Sequence, residues 1–64
     1  MMKENKMYKQ VQQWLSNLDL LDRLGIPYSV LRDLKQRYQN PKIRPASHVL
    51  RRDYRFLEEK VKQS

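Results

Sequence analysis

One glycine and three prolines punctuate this 64-residue chain, and between them apolar residues recur at helical spacing. Outside Gly25, Pro27, Pro41 and Pro45 the backbone carries no intrinsic helix breaker. The pattern therefore predicts an all-α fold, mainly helical, of about four helices, with room for a small β wing. Met7, Val11, Trp14, Leu15 and Leu18 share one face of a helix from about Glu4 to Leu15. Ser16 with Asp19 has the spacing of a short capping motif. Leu20, Leu21 and Leu24 then form a short second helix that Gly25 ends in the left-handed conformation.

Pro27 suits the first turn of a third helix, where its missing N–H costs nothing. Leu31, Leu34 and Tyr38 continue that helix over 27–39, and Asn40-Pro41 stops it. Two readings of the last third remain open. In one, Ser47 caps a long helix with Leu50, Tyr54, Leu57 and Val61 on its apolar face. In the other, Ile43 and Val49 belong to a β-hairpin wing and a shorter helix starts at Asp53. The periodicity favours the long helix.

Length and composition narrow the function. Sixty-four residues allow one domain, and at that size the hydrophobic core leaves a slim stability margin. The chain has no cysteine, so neither a disulfide framework nor a thiolate metal site supplements the core. Its polar start and lack of an apolar run near the roughly 18 residues of a bilayer span predict a cytoplasmic protein. His48 is the only histidine. Without a spaced set of acids, histidines or a glycine-rich loop, no catalytic, metal or cofactor site is expected.

Charge carries the first positive clue. The net charge is +7, and it is unevenly placed. Residues 1–27 hold four Lys and Arg against three acids, whereas residues 28–56 hold eight against two. Six of those eight are arginine, whose planar guanidinium suits phosphates and guanine edges. The aromatic residues add little to this. Tyr38 and Tyr54 fall at core spacing, and Tyr28 alone reads as free. Trp14, with Met7, Val11 and Leu15, either completes the core or offers a partner surface; a chain this short needs those side chains for packing.

Residues 17–36, NLDLLDRLGIPYSVLRDLKQ, resemble a helix-turn-helix. Leu20, Leu24, Ile26, Leu31 and Leu34 stand at the packing positions and Gly25 at the turn. Leu21 departs from the pattern, because the family usually has a small residue there, and this predicts a wider helix crossing. The resemblance implies that helix 27–39 reads bases: Arg32 with guanine, Gln36 with adenine, Tyr28 and Ser29 near the helix start. Lys35 and Arg37 would then touch the DNA backbone.

Downstream, residues 41–45 (PKIRP) and 48–54 (HVLRRDY) are similar to the wing and closing helix of small MerR- and excisionase-type proteins. Residues 49–53 (VLRRD) also resemble the recognition helix of DeoR-like repressors. Both resemblances imply that Lys42, Arg44, Arg51, Arg52 and Arg55 lie near nucleic acid. The expected protein is a non-enzymatic, sequence-selective regulator of transcription or recombination, of phage or mobile-element type. It would bind double-stranded DNA as a homodimer, pairing through the first helix or the Leu57–Val61 end of the last. The rival classes are a helical modulator docking on a host regulator or polymerase, and an RNA-binding protein.

Overall fold

A computed structural model describes residues 2–63, with side chains from Asn5 onward. Its four helices are α1 (Met2–Ser16), α2 (Leu18–Leu24), α3 (Tyr28–Gln39) and α4 (Ser47–Gln63). The fold is all-α. Among the described residues there is no strand, so the wing of residues 41–45 and the short helix from Asp53 are corrected to a turn followed by one long helix. The turn closes on Asn40: its Oδ1 accepts from Lys42 N at 3.0 Å and its carbonyl from Ile43 N at 3.1 Å. An Asx turn of this kind satisfies the chain locally and needs no partner strand.

The break between α1 and α2 differs from the sequence expectation. Ser16 does not cap α2; its hydroxyl donates back to the Gln12 carbonyl at 2.9 Å. Asn17 is the cap, extended at φ −93° and ψ 94°, and its side chain accepts from Leu20 N at 3.1 Å. Because the chain turns there, Leu18 leaves the α1 stripe and stands 67% exposed. Gly25 closes α2 at φ 66° and ψ 30°, the left-handed conformation expected of it. Pro27 precedes α3 rather than lying within its first turn, and its carbonyl accepts from Leu31 N at 3.0 Å. Ser47 is likewise the first helical residue of α4, not its cap, and the Ala46 carbonyl takes the first bond from Leu50 N.

α1 forms the spine. It packs most extensively on α4 and next on α3, while α2 approaches α1 and α4 more closely than α3. Val11, Leu15 and Leu57 are fully enclosed, with Leu21, Leu24, Ile26, Leu34, Tyr38 and Leu50 around them. Trp14 lies against Tyr54, ring centroids 5.3 Å apart, and Tyr8 meets the Tyr38 ring edge-on at 5.4 Å. The Trp14 face of α1 therefore completes the core. Enclosing Leu57 corrects the expectation that the Leu57–Val61 end presents an open pairing surface. No described helix is long and apolar enough to cross a membrane.

Candidate nucleic-acid interface

α3 is a 12-residue amphipathic helix. Leu34 and Tyr38 are buried on its inner side, with Val30 and Leu31 half-buried beside them. The 3.6-residue period then fixes what faces outward: Ser29, Arg32 and Gln36, all exposed, fall along the opposite side. Tyr28 opens the helix and is 77% exposed, so the one aromatic read as free is free. Lys35 is half-buried, bordering a groove between α2 and α3 with Leu18, Leu21 and Leu31. Leu21 is buried beside that groove, and α2 packs less on α3 than on α1 or α4.

The remaining cations fall into two sets. Lys42 and Arg44 are exposed on the 40–46 turn, where Arg44 shares a groove with Tyr8 and Gln12 of α1. Arg51 and Arg55 lie one turn apart on the solvent side of α4, and Arg52 faces the cleft between α4 and α3. The structure thus joins Arg52 to the α3 side and Arg44 to the α1 side. It does not gather all the expected residues into one cluster.

What couples α3 to α4 is a buried carboxylate, which in the sequence figured only as one of the two acids of residues 28–56 and as the start of the shorter-helix alternative. Asp53 is 5% exposed. Its Oδ2 accepts a 2.7 Å hydrogen bond from the Tyr38 hydroxyl and lies 3.7 Å from Arg37 Nη1. Its Oδ1 lies 3.5 Å from Arg52 Nε. A buried charge is tolerated only when paired in this way. Burial pushes the Tyr38 phenol well above its ordinary range, the bond to Asp53 and the carboxylate charge add to the rise, and Arg37 and Arg52 oppose it. Arg37, expected at the DNA backbone, is instead half-buried against Asp53. The sequence does hold a signal for this: Asp53 stands between Leu50 and Leu57 at core spacing, where an unpaired acid would be costly.

Comparison with family models, curated proteins and solved structures found no match to this chain.

Proposed function

We propose that this protein is a sequence-selective DNA-binding regulator that lays α3 in the major groove. One observation carries the reading. The outer side of α3 presents Arg32, Gln36, Ser29 and Tyr28 to solvent, while its inner side is fixed by buried Leu34 and Tyr38. A base-reading helix needs this division, because side chains discriminate base edges only when the helix beneath them is held still. Arg32 suits guanine O6 and N7, and Gln36 suits adenine N6 and N7. Lys35, Lys42, Arg44, Arg51, Arg52 and Arg55 supply phosphate contacts, which set register and salt dependence without reading sequence. Transcriptional or recombinational control, of phage or mobile-element type, is the process such a module serves. A homodimer on a two-fold or repeated site supplies the selectivity that one small module lacks.

A second reading draws on Leu18. An exposed leucine beside the Leu31 groove suits docking on a host regulator or polymerase. A band-shift assay with a selected duplex, its shuffled sequence and a structured RNA as competitors separates the classes. The DNA reading expects the selected duplex to outcompete both others. Equal competition by RNA moves the assignment to an RNA-binding protein, and no shift with any nucleic acid favours the docking reading.

A further inference from the structure

We infer that Asp33 is a specificity-determining residue of the α3 face, accepting a hydrogen bond from the exocyclic amine of a cytosine. The inference rests on the reading of α3 as a groove-facing helix. Ser29, Arg32, Asp33 and Gln36 stand at i, i+3, i+4 and i+7, and all four are exposed. The acid therefore borders the stripe of the two expected base readers, on the side where α3 lines a cleft with Arg37 and Arg52. Its natural helix partner is Arg37, four residues on. Arg37 is held by Asp53 instead, and among the described residues the Asp33 carboxylate forms no hydrogen bond or ion pair.

A role in stabilising the helix does not account for it. α3 has no acid in its first turn, and Asp33 lies beyond the reach of the favourable end of the helix dipole. Phosphate contact is excluded by charge, because a carboxylate repels the DNA backbone. In a groove, the donors it can accept from are the amines of base edges. In the major groove two bases present an amine, cytosine at N4 and adenine at N6. Adenine sets an N7 acceptor beside its amine, which faces an acceptor-only carboxylate with a second lone pair. Cytosine has no such neighbour, so it is the base that a carboxylate selects. Arg32 and Asp33 then form an adjacent donor and acceptor, suited to a guanine and a cytosine at neighbouring positions of the site.

The test is selection from a randomised duplex pool by the wild-type protein, Asp33→Asn and Asp33→Ala, with circular dichroism confirming that both exposed-site variants retain wild-type helix content. The wild type is expected to enrich cytosine at one position about 5- to 100-fold over the other bases. Asp33→Asn, which both donates and accepts, should shift that position toward adenine. Asp33→Ala should flatten it while binding unrelated DNA more tightly. A wild-type consensus that both variants reproduce at every position overturns the role of Asp33 and leaves α3 as a reader. Failure of the wild type to enrich any sequence overturns the reading of α3 and this inference with it.

Discussion

The Tyr38 hydroxyl donates a 2.7 Å hydrogen bond to Asp53 Oδ2, tying the last turn of α3 to the middle of α4 inside the core. Tyr38→Phe leaves a buried carboxylate short of a donor and should destabilise the fold by about 1–3 kcal/mol in urea denaturation. The contribution also depends on pH. Burial and Asp53 raise the folded phenol's pKa above the ordinary value of 10.0, so the tyrosine ionises first in the unfolded chain. Its stabilisation is complete below that value and is lost as pH rises toward the folded one. The stability gap between wild type and Tyr38→Phe should hold steady from about pH 7 to 9 and narrow above about pH 10. A gap that widens at high pH would contradict the pairing.

Chain reversal at the two ends of α2 gives a second expectation. Asn17→Ala removes the side-chain acceptor of Leu20 N and should cost about 1 kcal/mol, whereas Ser16→Ala should cost almost nothing. Gly25→Ala meets no atom within 4 Å, so its cost is backbone strain at φ 66°, about 1–2 kcal/mol. Thermal melts of the three variants check the order. Equal losses for Ser16→Ala and Asn17→Ala would return the cap to Ser16.

The helices themselves were legible because apolar spacing and four breaker residues constrain them tightly. Leu31, Leu34 and Tyr38 predict the inner side of α3, and Leu50, Tyr54, Leu57 and Val61 that of α4. The caps were not legible to the residue. Ser16 and Asn17 are both good caps, and the choice turns on which backbone unit leaves the helix first. The wing reading failed at Asn40, whose side chain closes a local turn that strand propensity does not register. The exposed face of α3 follows from periodicity, so the exposure of Ser29, Arg32 and Gln36 was legible in the sequence. The pairing of Arg37 was not legible: core spacing marks Asp53 as buried, but no local pattern joins it to a partner 16 positions away.

Two candidate reading elements make opposite predictions under mutation. If α3 reads bases, Arg32→Ala should cost about 1–3 kcal/mol on the selected site and relax preference at one base position. Arg51→Ala and Arg55→Ala should weaken binding to all duplexes alike. Competition assays on single-base site variants distinguish these effects. Specificity kept by Arg32→Ala but lost by Arg51→Ala or Arg52→Ala would transfer the reading role to α4.

A homodimer is expected from the scale of the proposed interface. Single modules of this kind bury roughly 600–1,000 Å² on DNA, which seldom yields enough selectivity against competing sites. Two copies double the contacts and fix the half-site spacing at about one helical turn. The first helix and the Leu57 end lend most of their apolar side chains to the core, so pairing should fall on exposed side chains such as Leu18 and Phe56. Sedimentation at micromolar concentration should show a dimer that Leu18→Asp or Phe56→Asp weakens. A strict monomer binding an isolated half-site as tightly as a full site would overturn this expectation.

The most direct test of the central claim is the affinity for duplex DNA measured against salt concentration. With the α3 face in the groove and the surrounding Lys and Arg on phosphates, log affinity should fall linearly with log salt, by about 0.9 for each phosphate contacted. Arg55→Ala should reduce that slope by about 1 without altering sequence preference. A selected duplex should stay at least about 1,000-fold tighter than a shuffled one at physiological salt. Absence of binding to any duplex at about 50 mM salt, or equal affinity for the selected and shuffled sequences, would contradict the account.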